Sequence, residues 1–295
     1  MTPDQGSNVL RCYRHPDRET GVSCSECGRP ICPDCMTFGP VGIRCPDHSG
    51  KPKGVQRVVT SAQRRTARNP GIVTTTLIVI NVGIYLLQLA GGASINANSG
   101  WIYEHGALFI ERIDSSGQIV GLAHGEWYRL LTAAFLHYGP IHLGMNMLAL
   151  WWIGRPLEDY LGPLRYLMLY LVSGIAGSAG ALLFDPGAIT VGASGAIYGI
   201  LGAALILERQ QTYVLGGSAL TLLVVGLVYS FIVPGISIGG HLGGLAGGAL
   251  GILAMSRFGR GSAAYSPFDV VSIVSLLAIG FVSVAVAYWK VKGYT

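Results

Sequence analysis

Residues 238–256 read IGGHLGGLAGGALGILAMS, a run in which His241 is the only ionisable side chain. A helix of about 20 apolar residues crosses a bilayer, so this run is predicted to span a membrane. Gly240, Gly244 and Gly248 recur every four residues and share one helix face, on which a second helix can pack closely. Because polar groups at membrane depth are costly, His241 is a candidate functional residue.

The rest of the chain agrees with a membrane protein. Only 12% of the residues are charged and 51% are apolar, whereas soluble domains carry about 25% charged residues. The composition and the apolar runs predict an all-α polytopic membrane protein. The seven predicted spans are 71–91, 132–153, 164–184, 192–208, 213–233, 238–256 and 269–289.

The positive charge lies at the N-terminal end. Residues 1–70 hold 11 of the 20 Lys and Arg residues but 6 of the 15 acidic ones, so the formal charge of +5 lies there. The linker 51–70 has six basic and no acidic residues. Such a cluster before a span predicts a cytoplasmic N-terminus in a plasma-membrane protein. A nucleic-acid patch is the less favoured alternative, because no aromatic residues accompany the charges. Lys290 and Lys292 follow the last predicted span and would lie on the outer side, contrary to the rule that Lys and Arg are enriched on the cytoplasmic side.

With this topology, polar residues from three spans meet at one depth in the outer leaflet. Ser194 begins the fourth predicted span, and His241 lies near the outer end of the sixth. His137, His142 and Asn146 lie in the outer half of the second. No Asp or Glu lies in the interior of a predicted span and no His-Glu-x-x-His occurs, which argues against intramembrane aspartyl and metalloproteases. The residues predict a serine nucleophile with a histidine base, a dyad without an acid.

Five neighbouring residues are predicted to assist the dyad. Gly192, beside the serine, allows a substrate backbone to approach closely, and Tyr198, one turn below, supplies a ring against the histidine. His142 and Asn146 share one helix face and are donors suited to an oxyanion. His137 is suited to admitting water.

Four motifs stand out along the chain: Glu126-Trp127-Tyr128-Arg129, His137-x4-His142-x3-Asn146, Gly192-Ala193-Ser194-Gly195-x2-Tyr198 and Gly240-His241-x2-Gly244. At these motifs the chain resembles the rhomboid family of intramembrane serine proteases.

The resemblance implies a six-helix core over 71–256, with 257–295 as an added seventh span and tail. It implies cleavage of single-span membrane proteins near their outer juxtamembrane region, without metal or nucleotide in catalysis. Two other readings stay open. One is a catalytically silent relative that binds transmembrane helices, against which the retained serine and histidine speak. The other is a small-molecule transporter, which fits poorly because internal repeats and membrane charges are missing.

All six cysteines precede position 46, within a predicted domain over 1–50. With two histidines they form four Cys-x2-Cys or Cys-x2-His pairs, which predict two closed, structural zinc sites. Disulfides are disfavoured because the segment faces a reducing cytoplasm. The pattern resembles B-box-like zinc fingers, which implies interleaved ligand pairs; sequential pairing stays open. We expect a protein partner for this domain and no nucleic acid. The ligands are Cys12, His15, Cys24, Cys27, Cys32, Cys35, Cys45 and His48.

Overall fold

The computed structural model describes residues 10–38, 42–49, 71–92, 95, 99–256 and 270–294. These residues fall into two compact units, an N-terminal unit over 10–49 and a helical unit over 71–294. The predicted linker 51–70 and the segment 257–269 lie outside the described residues. The domain boundaries therefore stay predictions, and each unit is considered separately.

The N-terminal unit has little regular structure. Strands β1 (Thr37–Phe38) and β2 (Ile43–Arg44) form an antiparallel pair, and Pro33–Cys35 form one turn of 3-10 helix. The buried centre consists of five cysteines and Ile31. So few apolar side chains cannot offset the conformational entropy of a folded chain. The cysteines must therefore contribute by more than packing.

The helical unit is built from helices and one short hairpin. The hairpin pairs β3 (Arg112–Ile113) with β4 (Ile119–Val120). The described α-helices are α1 (Ile72–Ala90), α2 (Trp101–Gly106), α3 (Arg129–Thr132), α4 (Pro140–Ala149), α5 (Arg155–Leu161), α6 (Pro163–Phe184), α7 (Ser194–Arg209), α8 (Ala219–Ile232), α9 (Ile238–Met255) and α10 (Val270–Val291).

Four of the described helices are long and apolar enough to cross a membrane, namely α1, α6, α9 and α10. The other predicted spans correspond to shorter helices, so the count of seven spans stays a prediction. The predicted span 132–153 begins later, because Pro140 at the first helical position starts α4. It also ends later, since a π-helical segment (Leu150–Gly154) joins α4 to α5.

The predicted span 213–233 is shortened at its start. Helix α8 begins only at Ala219. Gly216 and Gly217 have φ values of +64° and +87°, a left-handed conformation that does not continue a right-handed helix. Residues 213–218 therefore form a turn, although Tyr213, Val214 and Leu215 extend the apolar stretch towards the N-terminus.

Glycine brings α6, α7 and α9 into close contact. A Cβ at Gly244 would overlap the carbonyl of Gly195, and one at Gly248 would overlap the carbonyl of Gly199. The close packing predicted from the four-residue spacing is thus present between α9 and α7. Helix α6 approaches α9 in the same way, with Gly180 against the backbone of α9. Backbones without intervening side chains gain dispersion contacts that lipid tails cannot replace.

The connection from α1 to α4 is organised by Arg129. Its side chain is 1% exposed and bonds to the Glu126 carboxylate and to the carbonyls of Glu104 and Ala107. A buried guanidinium whose donors are paired holds the chain segments that supply its acceptors in fixed positions. Next to it, the ring of Trp127 lies 5.9 Å from that of Tyr288 on α10. This connection lies beside the end of the helices where the predicted site residues gather.

Candidate active site

Ser194 is the first residue of α7, and a glycine-containing loop leads to it. Gly192 has a φ of +125°, which favours glycine, and its N–H donates to the Ala133 carbonyl at 2.9 Å. A Cβ at Gly192 would lie 2.7 Å from the His142 ring. A side chain at position 192 would therefore displace a predicted oxyanion donor.

His241 lies in the first turn of α9, where Ser237 caps the helix by accepting from the N–H of Gly240. The close glycine packing of α9 on α7 brings the histidine to the serine. Nε2 of His241 lies 2.9 Å from Oγ of Ser194, a hydrogen-bond distance. His241 is 5% exposed, whereas Ser194 is half-buried. A buried base beside a more accessible hydroxyl is the arrangement that nucleophilic catalysis requires.

Tyr198 lies one turn below Ser194 on α7. Its ring stacks on that of His241, with centroids 4.0 Å apart and planes inclined by 11°. The stack restricts rotation of the imidazole while leaving both ring nitrogens free to bond. Among the described residues, no carboxylate bonds to His241. In this part of the chain, the stacked Tyr198 ring and hydroxyl groups, and not a carboxylate, thus hold the ring.

Sequence reasoning missed Ser230 on α8. Its hydroxyl lies 2.8 Å from Nδ1 of His241, and it is 3% exposed. It also contacts the Tyr198 hydroxyl at 3.2 Å and the Gly226 carbonyl at 2.7 Å. The signal that could have found it is the predicted topology, which places the C-terminal end of the fifth predicted span at the same depth as Ser194 and His241.

His142 and Asn146 lie on the other side of Gly192. Asn146 Nδ2 would lie 3.7 Å from a Cβ at that glycine, and it is a buried donor without a hydrogen-bond partner in the described part of the chain. Nδ1 of His142 accepts from the N–H of Tyr138 at 3.3 Å. The proton of a neutral imidazole is then on Nε2. Two donors therefore lie next to Gly192, two residues before Ser194.

His137 lies behind His142, with ring centroids 5.1 Å apart. It is 2% exposed, and within residues 99–256 neither ring nitrogen has a hydrogen-bond partner. Its backbone N–H donates to the side chain of Gln88 at 3.3 Å. The structure thus gathers all the residues predicted for the site, with His137 the most enclosed of them.

Comparison with known proteins points to one family. The Rhomboid domain matches residues 124–258. Rhomboid protease GluP of Bacillus subtilis (strain 168) is 40% identical over 148 residues, which cover 47% of this chain and 29% of GluP. Putative rhomboid protease YdcA of the same organism is 38% identical over 140 residues, which cover 46% of this chain and 70% of YdcA. The chain belongs to the rhomboid family.

This rhomboid also matches RHOMBOID-like protein 4 of Arabidopsis thaliana, with 38% identity over 130 residues. The match covers 33% of that relative, so the chain spans less than two thirds of two of these three proteins. The matched domain contains Ser194 and His241 and excludes the N-terminal unit and α10. With its long apolar helices, this rhomboid is an integral membrane protein.

The N-terminal unit of this rhomboid gathers its cysteines and histidines in two groups. In each group the ligand atoms lie within 4.8 Å of one another. The groups are interleaved along the chain, which agrees with the pairing that the B-box resemblance implies. The first group is Cys12, His15, Cys32 and Cys35, and the second is Cys24, Cys27, Cys45 and His48.

The spacing inside each group fits a tetrahedral zinc ion. Zn–S bonds near 2.3 Å and Zn–N bonds near 2.0 Å place ligand atoms about 3.5–3.8 Å apart. Sγ of Cys27 and Cys45 are 3.8 Å apart. Nδ1 of His15 lies 3.3 Å from Sγ of Cys32. Each group supplies four ligands, so each is compatible with a closed, structural site.

Proposed function

We propose that this rhomboid is an intramembrane serine endopeptidase that cleaves single-span membrane proteins. The 2.9 Å approach of His241 Nε2 to Ser194 Oγ carries the proposal. The protease names of GluP and YdcA support it, although those names describe the relatives.

Attack begins with proton transfer between the two residues of the dyad. His241 Nε2 takes the proton of the Ser194 hydroxyl while Oγ bonds to the scissile carbonyl carbon. The carbonyl electron pair moves onto oxygen, which gives a tetrahedral oxyanion and an imidazolium. Burial of His241 excludes competing water, which strengthens the hydrogen bond along which the proton moves.

The oxyanion needs donors that are already in position. The Nε2–H of His142 and the Nδ2–H groups of Asn146 are proposed to bind it. The N–H groups of the first turn of α7 have no intrahelical acceptor and are further candidates. The unpaired state of Asn146 Nδ2 supports this role, because an orphaned buried donor costs about 1–3 kcal/mol unless a ligand uses it.

Collapse of the oxyanion breaks the C–N bond, and the leaving amine takes the proton from His241 Nε2. An acyl-enzyme on Ser194 remains. Water then gives a proton to the same nitrogen while its oxygen attacks the ester carbonyl. Collapse of this second oxyanion breaks the bond to Ser194 Oγ, which takes the proton back from Nε2, and the carboxylic acid product is released. His137 is proposed to help position that water, since both its ring nitrogens are free among the described residues.

We further propose that the site opens to the outer face of the plasma membrane and that the N-terminus is cytoplasmic. The basic linker 51–70 supports this orientation. Substrates are then cut near their outer juxtamembrane region. In the N-terminal unit, two structural zinc ions are proposed to hold the fold and to present it to a protein partner, with no metal in catalysis.

The test uses purified protein in liposomes with a panel of single-span reporter substrates. Cleavage is expected for the wild type and is expected to fall at least about 10³-fold in Ser194→Ala and in His241→Ala. Ser283→Ala is the matched control, because Ser283 is a buried serine of α10 that bonds only within its own helix.

Cleavage that persists in Ser194→Ala would refute the nucleophile assignment. No cleavage by any form, together with retained binding of the reporters, would favour the silent helix-binding alternative. A fluorophosphonate probe separates the cases, because it labels an activated serine without a substrate. We expect labelling at Ser194 in the wild type and none in His241→Ala.

A further inference from the structure

The Ser230 hydroxyl faces three groups, and their chemistry fixes its proton. A serine hydroxyl has one proton to donate and two lone pairs with which to accept. The Gly226 carbonyl, 2.7 Å away, can only accept, so it takes the proton. Such bonding to the carbonyl four residues earlier is the usual state of serine in membrane helices. Both lone pairs of Ser230 then face Tyr198 and His241.

A lone pair facing Nδ1 of His241 determines which nitrogen of the ring carries the proton. Nδ1 lies 2.8 Å from Ser230 Oγ and must be protonated to donate to it. In a neutral imidazole, Nε2 is then unprotonated and can accept. Nε2 faces Ser194 at 2.9 Å. The opposite tautomer would leave Nδ1 without a donor and Nε2 without a lone pair for the serine proton.

We propose that Ser230 is a positioning residue that holds His241 in the tautomer able to act as a general base, an inference that rests on the proposed protease function. Once Nε2 has taken the proton of Ser194, the Nδ1–H bond becomes charge-assisted and stronger. Ser230 therefore stabilises the imidazolium more than the neutral ring, as an acid does in a catalytic triad. A neutral hydroxyl does this without burying a second charge.

The contact also ties the base to the position of α8. Of the residues of α8, only Ala219, Leu223 and Ser230 are buried. Near its C-terminal end the helix meets the site through Gly226 and Ser230, one turn apart, and a Cβ at Gly226 would collide with the Tyr198 hydroxyl. Ser230 reaches His241 only while α8 lies against Tyr198. An outward shift of α8 would thus remove the tautomer control.

The first test compares two isosteric variants, Ser230→Thr and Ser230→Val, in the reporter assay. Threonine keeps the hydroxyl and can bond in the same way, whereas valine has the same shape without it. We expect kcat of Ser230→Val to be about tenfold or more below that of Ser230→Thr, with KM unchanged, because the base and not substrate binding is affected. Equal kcat values in the two variants would overturn the proposal.

Ser283→Val is the control for a lost hydroxyl in a span. Ser283 also donates to the carbonyl four residues earlier, at 2.8 Å, but it does not contact the site. Its kcat is expected to equal that of the wild type. A comparable fall in Ser283→Val would mean that kcat follows span packing, and would also overturn the proposal.

The second test does not depend on cleavage. Solid-state NMR of 15N-histidine-labelled protein in bilayers reads the tautomer of His241 directly, with the His241→Gln variant assigning the signal. We expect an Nδ1–H ring in the wild type and in Ser230→Thr, and a mixture with Nε2–H in Ser230→Val. An Nε2–H ring in the wild type would refute the positioning role even if the protein cleaves. An Nδ1–H ring without cleavage would instead refute the proposed function alone.

Discussion

The two units of this rhomboid use polar side chains in opposite ways. Among residues 10–38 and 42–49 of the N-terminal unit, five cysteines occupy the buried centre and Ile31 is the only other buried apolar side chain. In the helical unit, helices pack closely at glycines, and apolar side chains form the core. The polar residues of the candidate site are enclosed by this packing and do not create it. Removing a candidate metal ligand should therefore unfold the first unit, whereas removing a polar group of the candidate site should impair only the chemistry of the second.

Metal removal gives the largest expected effect. Zinc binding to structural sites supplies about 10 kcal/mol or more of folding free energy, so chelation should unfold residues 10–49. The helical unit has its own core and should stay folded. Hydrogen exchange on the full chain measures this, with fast exchange expected in the N-terminal unit and protection retained in α6 and α9. Loss of protection in both units would contradict the comparison.

Paired substitutions sharpen this test by reporting the ligand pairing. In the interleaved arrangement, Cys12→Ser with Cys32→Ser removes two ligands from one group, so one zinc ion per chain should remain. Cys12→Ser with Cys24→Ser damages both groups and should leave none. Zinc content by mass spectrometry measures both variants. The reverse result would support sequential pairing.

Gly248→Ala tests whether glycine packing supports the helical unit. The added Cβ would overlap the Gly199 carbonyl on α7, and two backbones cannot yield as side chains do. We expect a loss of about 3 kcal/mol in the free energy of unfolding. Denaturation in mixed micelles measures it. Gly83→Ala is the control, since a Cβ there meets nothing within 4 Å, and its stability should change by less than about 1 kcal/mol.

Glu158→Gln tests a place where the helical unit does depend on a polar side chain. Glu158 is fully buried and accepts hydrogen bonds at 2.8 Å from the N–H groups of Val73 and Thr74 and from the Thr74 hydroxyl. It thereby caps α1. Glutamine has one acceptor oxygen and would turn an NH2 group towards donors, so we expect a loss of about 2 kcal/mol.

The neighbouring Asp159 provides the control for Glu158. It is exposed, and Asp159→Asn should change the free energy of unfolding by less than about 0.5 kcal/mol. Equal effects of the two substitutions would mean that loss of charge at this end of the helices matters and the cap does not. The same micelle denaturation distinguishes the outcomes.

Much of the site was predictable because membrane burial makes polar residues conspicuous. Ser194, His241 and Asn146 stand out in apolar surroundings, and alternating topology places them at one depth. The close contact of α9 with α7 followed from the spacing of Gly244 and Gly248. In each case a local pattern had only one physical use.

What the sequence did not reveal depends on tertiary contacts. The Ser230 hydroxyl already donates to the Gly226 carbonyl in its own helix, as many membrane serines do. The local sequence therefore gives no sign of its second contact, with His241. The start of α8 was misplaced because Tyr213, Val214 and Leu215 extend the apolar stretch into the turn that precedes the helix. Glu158 lies outside the predicted spans, and its role depends on donors more than 80 residues away. The composition of a segment predicts whether it is buried, but it does not identify the hydrogen-bond partner that a buried polar side chain needs.

The smallest expected effect concerns pH and the connection between α1 and α4. Burial raises the pKa of Glu126, but the hydrogen bond and charge of Arg129 outweigh it and hold that pKa below its usual value. A carboxyl with a depressed folded pKa stabilises the fold above its unfolded pKa of about 4.3, and this contribution disappears as the pH falls through the folded value. We expect less than about 1 kcal/mol, because Glu126 is partly exposed.

Denaturation midpoints between pH 7 and pH 3 test this in the wild type and in Glu126→Gln. The wild type should lose stability relative to the variant only below about pH 4.3, where the unfolded state takes up the proton first, and the loss is complete once the folded carboxyl is protonated as well. A difference that persists unchanged to pH 3 would mean that the shape of the side chain, and not its charge, holds Arg129. The connection would then resemble the rest of the helical unit, in which packing dominates, more than the N-terminal unit, in which polar groups do.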